Sequence, residues 1–464
     1  MNIFQAIALA CLTPLLTACA IQPVPTKVDA NPPAQWHAPL PHDGNPHKLA
    51  EWWNQHNDPL LTELIAAAQE ASPTVSAASA RIAQARANRV AAAAALLPTA
   101  DASLSATRAR SQPPTPTGSA LQAGMQTAWE IDLFGGNRAG RTAAEERLAG
   151  AEAGWHEARV SVAAELASQY YSLRSCELLL AIARSDAGSR AETARLAKLS
   201  AEAGFQSPAN AALARASAAD ANSRATQQQA QCELDVKALV ALTAISETPL
   251  RQRLGAMSAV LPQSFMLSVD RLPANVLAQR PDIFNTEREV AAASADLGSA
   301  QAQRYPRLTL SGSLGATRFR TGGAEVDLTT WSIGPLALSV PVFDGGRRIA
   351  IAEAARARYD DAVVRYRAQV RQAVREVEQA LVSLQSTSSR SDDARIAAEG
   401  YRRSFAATEA LYGGGLASLV ELEESRRTRL AAELAVVSLQ RERIAAWIAL
   451  YRAAGGGWNA IAQP

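Results

Sequence analysis

The sequence predicts a mixed α/β membrane protein: a trimeric, twelve-stranded β-barrel, four strands from each chain, continuous with a long α-helical coiled-coil tube. Three observations carry that reading. The chain is written twice, because Leu97-Pro98, Phe134-Gly135-Gly136 and Gly204-Phe205-Gln206-Ser207 recur in order as Tyr305-Pro306, Phe343-Asp344-Gly345-Gly346 and Gly415-Leu416-Ala417-Ser418. The offsets are 208, 209 and 211 residues, far beyond the roughly 20–50-residue periods of solenoid repeats. Each copy then holds two alternating segments followed by a long helical tract without proline.

Composition sets the frame. The 464 residues are 48% hydrophobic but only 5% aromatic, which favours close helix packing through alanine over one large aromatic core. A net charge of +2 gives no imbalance that would point to nucleic acid. Ile3–Ala18 is the only long apolar stretch, too short and too N-terminal for an ordinary spanning helix. Any membrane crossing therefore falls to strands.

Residues 1–18 read as a signal peptide. The run Leu16-Thr17-Ala18-Cys19 looks like a bacterial lipobox, in which Cys19 becomes the lipidated first residue, the only covalent group expected. Ala20 in place of Asp implies sorting to the outer membrane. Met1–Gln5 lack the positive charge usual in a signal n-region, which leaves the true start open. Residues 19–48 hold the lipidated Cys and a Pro-rich linker, expected to be an extended tether with His37, His42 and His47 solvated and no metal bound. Cys176 and Cys232 are expected as small buried hydrophobes, Cys176 on a stripe with Leu166, Tyr170, Leu173 and Leu180; an oxidising compartment also allows a disulfide.

Residues 49–97 are the helices of the first repeat. Asp58 can cap and Pro59 suits the first helical position; the pattern pauses at Ser72-Pro73. Residues 98–134 form the first β-hairpin. In Thr99–Arg110, Ala100, Ala102, Leu104 and Ala106 alternate with Asp101, Ser103, Ser105 and Thr107. In Leu121–Leu133 the apolar set is Leu121, Ala123, Met125, Trp129, Ile131 and Leu133. Residues 306–343 form the second hairpin, with a phase slip near Gly312 and another at Gly334-Pro335 that suggests a bulge. Ser111–Ser119 and Gly322–Asp327 read as the loops of the first and second hairpins. Four strands cannot close a barrel, and an open edge in lipid is prohibitive, so three chains are required.

Residues 135–244 and 344–452 are helical hairpins, with tips near 204–207 and 413–418. Val363, Val370, Val374, Val377, Leu381 and Leu384 follow a coiled-coil seam; Leu430, Leu434, Val437, Ile444 and Ile448 make a weaker one, interrupted by Arg441. Residues 245–305 are an equatorial segment with the helix of the second repeat, and residues 453–464 a tail. His156 is the only histidine in the repeat region, and no Ser/His/Asp or Cys/His grouping or phosphate loop appears, so no enzyme is expected.

The ordered set of landmarks resembles a known family. Trp52, Asp58-Pro59-Leu60, Leu272-Pro273, Gln279-Arg280-Pro281-Asp282-Ile283, Tyr305-Pro306-Arg307-Leu308, Phe343-Asp344-Gly345-Gly346 and the two Gly-x-x-Ser turns are similar to those of TolC-like outer-membrane efflux factors, of the NodT-type lipoprotein branch. The resemblance covers nearly the whole mature chain. It implies a homotrimeric outer-membrane exit duct, lipid-anchored and extending into the periplasm. Its implied partners are a periplasmic adaptor (membrane fusion protein), an inner-membrane pump of RND type and outer-membrane lipid. A type I protein-secretion conduit and a lipid-anchored coiled-coil scaffold without a pore are the alternatives.

The resemblance also implies site residues. Glu421 and Glu424 stand where the family has an acidic entrance ring; six such carboxylates favour cations, and crowding would raise some pKa values. A solvated face, with Glu423 and Arg426 also charged, is the alternative. Tyr412 and Asn210 stand at latch positions, and Asn210 could accept a hydrogen bond, while Ala417 replaces the family's basic partner. Gly204, Phe205, Ser207, Gly415, Leu416 and Ser418 form the implied adaptor-docking tips.

Overall fold

The computed structural model describes residues 24–38, 53, 58–110, 117–256, 261–262 and 273–458. Cys19, His42, His47 and Trp52 lie outside them. The chain is mostly helical with one four-stranded sheet. In order, the elements are α1 (Pro59–Ala71), α2 (Pro73–Ala94), β1 (Thr99–Ala109), β2 (Gly118–Ile131), α3 (Gly136–Glu202), α4 (Pro208–Thr243), α5 (Glu247–Gly255), α6 (Pro273–Ala278), α7 (Pro281–Ala302), β3 (Arg307–Thr321), β4 (Ala324–Ser339), α8 (Arg347–Gly413) and α9 (Leu419–Ala453). Asp58 caps α1 through a bond from the Leu61 N–H at 3.0 Å, with Pro59 in the first turn. No helix among the described residues is long and apolar enough to cross a membrane.

The chain divides into two compact units. The first comprises Met1–Ala30, Ser79–Ala153 and Phe284–Ala368 and holds the sheet. Its strands run β1-β2-β3-β4, each antiparallel to the next, so β2–β3 pairing joins the two hairpins into one sheet and leaves β1 and β4 as open edges. Directly paired residues share a face. Leu104, Met125, Trp129, Leu310, Leu314, Trp331 and Leu336 therefore lie on one side, and Asp101, Ser103, Gln126, Ser313 and Ser332 on the other. The two phase slips read from the sequence are a single bulge: Gly334 and Pro335 together oppose Ser311 between the pairs Leu310–Leu336 and Gly312–Ile333.

Two expectations are corrected in this unit. Gly322–Asp327 is not a loop. The strands continue to a two-residue Gly322-Gly323 turn, both glycines at positive φ, because Arg318 pairs with Asp327 and Arg320 with Glu325 across the strands. Nor are the described linker residues a free tether. Val24 and Val28 pack against Val290, Ala293, Tyr359 and Ala362, while Ser294 Oγ and Tyr359 Oη donate to the Val24 and Pro25 carbonyls, each at 2.9 Å. Prolines remove donors, but the carbonyls remain to be satisfied by neighbouring side chains.

The helix starts explain the Phe-Gly-Gly landmarks. Asp132 accepts from the Asn137 and Arg138 N–H groups at 3.2 and 2.8 Å, and Asp344 from those of Gly346 and Arg348 at 3.0 and 3.2 Å. A carboxylate thus satisfies otherwise orphaned donors at the first turns of α3 and α8.

The second unit comprises Asn31–Ala78, Gly154–Ile283 and Gln369–Pro464. Leu61, Leu64, Leu166, Tyr170, Leu239, Leu250, Leu381 and Leu450 are almost wholly buried in its core. The first seam contributes Val377, Leu381 and Leu384. Trp36 is buried here too, and the His37 and Ala38 N–H groups donate to Glu378 at 2.6 and 2.9 Å; the His37 residue is exposed. Arg280, at 5% exposure, holds Asp282 through both carboxylate oxygens, Glu376 at 2.9 Å and the Ala453 carbonyl at 2.8 Å, tying α7, α8 and α9 together. Cys176 and Cys232 are bonded to each other, 56 residues apart, which corrects their assignment as free packing residues. Both lie on the facing sides of α3 and α4, a proximity set by the hairpin and not by local spacing.

Candidate functional site at the hairpin tips

Within the second unit, each helical hairpin turns in the same way. Gly204 (φ 81°) and Gly415 (φ 75°) end α3 and α8 in the left-handed conformation that favours glycine. The Phe205 N–H reaches back to the Ser200 carbonyl at 2.9 Å, and the Leu416 N–H to Leu411 at 2.8 Å. The serines of both Gly-x-x-Ser turns then start the returning helices. Ser207 accepts from the Asn210 N–H, and Ser418 forms a capping box with Glu421. Phe205 and Leu416 project at 84% and 79% exposure.

Four helices meet just behind these turns. Ala197, Ala214, Phe405, Leu419 and Leu422 form a small core, with Tyr412 packed against it. The Tyr412 hydroxyl accepts from Gln206 Nε2 at 3.5 Å. Among the described residues the Asn210 side chain makes no hydrogen bond within the chain, so the two latch positions do not meet there.

The acidic pair is separated by role. Glu421 takes the Ser418 N–H at 2.6 Å, completing the capping box, whereas Glu424 accepts two bonds from Arg427 at 2.7 and 3.1 Å. The Ser418 backbone holds the Glu421 carboxyl below the usual carboxylate range, and the Arg427 guanidinium does the same for Glu424. Within one chain the direction is thus downward, opposite to the rise expected from crowding.

Glu423 and Arg426 do not lie on a solvated face. Arg426 is fully buried, donating to Glu423 at 2.7 Å, Ser189 Oγ at 2.9 Å and Thr193 Oγ1 at 3.1 Å, with the Phe405 ring 5.5 Å away. Glu423 also accepts from Ser217 at 2.8 Å and pairs with Arg190, which holds the buried Asp186 at 2.9 Å. Arg224 and Arg429 each approach Asp186 to 3.9 Å. Burial pulls the Arg426 guanidinium down, while Glu423 opposes that shift. One ionic network therefore crosses α3, α4 and α9. Sequence reasoning missed it because Asp186–Arg190 and Glu423–Arg426 have the spacing of solvated helix-surface pairs. The one local hint was the set of small polar neighbours, Ser189, Thr193 and Ser217.

The comparisons with known proteins agree with this architecture. The profile of the outer membrane efflux protein family matches residues 64–244 and again 272–456. The chain is 27% identical over 465 residues to the pyoverdine export outer membrane protein OpmQ of Pseudomonas aeruginosa, covering 98% of this chain and 97% of that one. It is 27% identical over 467 residues to nodulation protein T of Rhizobium leguminosarum bv. viciae, covering 99% and 95%. The solved outer-membrane channel OprN matches with a TM-score of 0.80 at 27% identity, over 94% of this chain and 99% of that one. Two profile matches, full-length relatives and a shared fold lead to one conclusion: this chain belongs to the outer membrane efflux protein family.

Proposed function

We propose that three copies of this chain close a twelve-stranded barrel in the outer membrane and continue it as a helical duct. Through it, small-molecule substrates pass from a periplasmic adaptor and an RND-type inner-membrane pump to the exterior. The observation that carries this reading is the sheet: four strands of 11–16 residues, one apolar face and two open edges. Strands of that length can cross a bilayer when tilted, and only closure satisfies the edge groups there. The duplicated family match supports an internal repeat. The substrate differs among relatives, pyoverdine export belonging to one and toluene efflux to another, and the pump upstream makes the first choice of what enters the duct.

Lipidation of Cys19 fits the packing of the linker residues that follow it. Cys19 lies five residues before Val24, within about 17 Å of extended chain, and Val24 packs on Leu297, Ala300 and Ala352 near the strand bases. At the other end, Glu421 and Glu424 would ring the entrance, Tyr412 and Asn210 would face neighbouring hairpins, and the exposed Phe205 and Leu416 turns, with Gly204, Ser207, Gly415 and Ser418, would receive the adaptor.

Single-channel conductance of the purified lipoprotein in planar bilayers tests the reading, beside the Glu421→Gln/Glu424→Gln variant. Cation-selective steps that lose selectivity in the variant are expected. Unchanged selectivity would remove the entrance ring and keep the channel. A protein that stays monomeric would favour the scaffold without a pore.

A further inference from the structure

The hydrophobic sense of the sheet inverts toward the β3–β4 turn. On the apolar face, Leu104, Met125, Leu314 and Trp331 give way to two rows in which β3 and β4 carry charge: Ala106, Leu121, Arg318 and Asp327, then Arg108, Ser119, Arg320 and Glu325. Arg318 binds Asp327 through two bonds of 2.8 and 3.0 Å, and Arg320 binds Glu325 at 3.1 Å. Charges of this kind end a lipid-facing band, because they belong in the headgroup and aqueous layers.

The opposite face changes in the contrary sense at the same level. Its row of Asp101, Gln126, Ser313 and Ser332 is polar, as a water-filled lumen requires. Toward the turn β3 and β4 place large apolar groups on it, Phe319 paired directly with Val326 and Leu328 opposite Thr317, while β1 and β2 carry Ser105, Thr107, Ala120 and Gln122 in the same rows. Phe319, Val326 and Leu328 are 44%, 49% and 49% exposed. Neither the lipid nor a soluble hairpin accounts for them. They lie on the face away from lipid, Phe319 and Val326 between the two charged pairs of the lipid face and Leu328 one residue before the first of them.

We infer that Phe319, Val326 and Leu328 form an apolar collar at the outer mouth of the lumen, a binding and selection site for apolar and amphipathic solutes. The inference rests on the trimeric barrel proposed above. Strands about 4.8 Å apart, tilted by about 40°, give twelve of them a backbone radius of roughly 12 Å. Nine apolar side chains reaching into that opening narrow it and disfavour hydrated ions there, whereas a solute with apolar surface loses water on contact. The last step of release is then selective for the same chemistry that would make a solute difficult to expel into water.

The test uses intact cells carrying the full-length lipoprotein with Phe319→Cys, Leu328→Cys or Trp331→Cys. The disulfide between Cys176 and Cys232 keeps those sulfurs from reacting with a maleimide. A membrane-impermeant maleimide is added outside, alone or with tetraphenylphosphonium or tetramethylammonium. The collar is supported if the Phe319→Cys and Leu328→Cys proteins are labelled, at least fivefold more slowly with tetraphenylphosphonium but not with tetramethylammonium, and Trp331→Cys is not. Equal effects of the two cations overturn the collar and leave the barrel standing. So does labelling of Trp331→Cys alone, which would exchange the two faces. If no variant is labelled until cells are lysed, the outer-membrane pore falls and the collar with it. Leu328→Cys carries the comparison if Phe319→Cys does not reach the membrane.

Discussion

Arg426, with no solvent exposure, donates to Glu423 at 2.7 Å, and Glu423 in turn holds Arg190 on the other hairpin. The second hairpin is thereby tied to the first by charges largely shielded from water, Arg426 wholly and Glu423 with 18% of its side chain exposed. A buried ion pair is a weak source of net stability, but breaking it on one side strands the remaining charge.

Arg426→Met should therefore destabilise the tip by about 3–5 kcal/mol, whereas Glu423→Gln, which keeps a hydrogen-bonding oxygen, should do less, about 1–3 kcal/mol. Chemical denaturation followed by hydrogen exchange at the tip measures both. Equal, negligible effects would mean that the network is solvated.

Removing the disulfide should have a different signature. Cys176→Ser/Cys232→Ser opens a loop of 56 residues and should cost about 2–4 kcal/mol by widening the unfolded ensemble. Non-reducing peptide mapping of the wild type should recover the two cysteines in one cross-linked species. Free thiols at both positions in protein from an oxidising compartment would contradict the bond.

The tip should respond to acid but not to mild alkali. The folded pKa of Glu421 is lowered by its bond to Ser418, so its contribution is fully present above the unfolded value, about 4.3, and is lost as pH falls through the lower folded value. Hydrogen exchange at Ser418–Leu422 should be flat between pH 6 and 8 once corrected for intrinsic rates, and protection should fall below about pH 4. Glu421→Ala should remove that acid dependence.

The two faces of the sheet should tolerate charge unequally. Leu314→Lys, on the apolar face, should destabilise the membrane-inserted state by about 2–4 kcal/mol, while Ser313→Lys, its neighbour on the polar face, should insert normally. Heat-modifiable trimer in outer-membrane fractions reports both. A reversed order would mean that the faces are exchanged.

The strands and tips were legible in the sequence because their signals are local. Alternation through Leu121–Ile131 gave a strand, and Gly-x-x-Ser gave a helix stop followed by a cap. Glu325 and Asp327 read as loop residues because their cross-strand partners, Arg320 and Arg318, are invisible until the register is known. Val24, Val28 and Trp36 have no periodicity to announce that they pack. Cys176 and Cys232 are brought together by one hairpin's fold, and Asp186 and Arg426 by the packing of one hairpin on the other; no spacing along one helix encodes either.

Closure by three chains is the central claim, and native mass spectrometry of the lipoprotein extracted from outer membranes tests it most directly. A mass of three lipidated chains is the expected result. A species of one chain, folded and lipidated, would leave the β1 and β4 edges open and contradict the barrel.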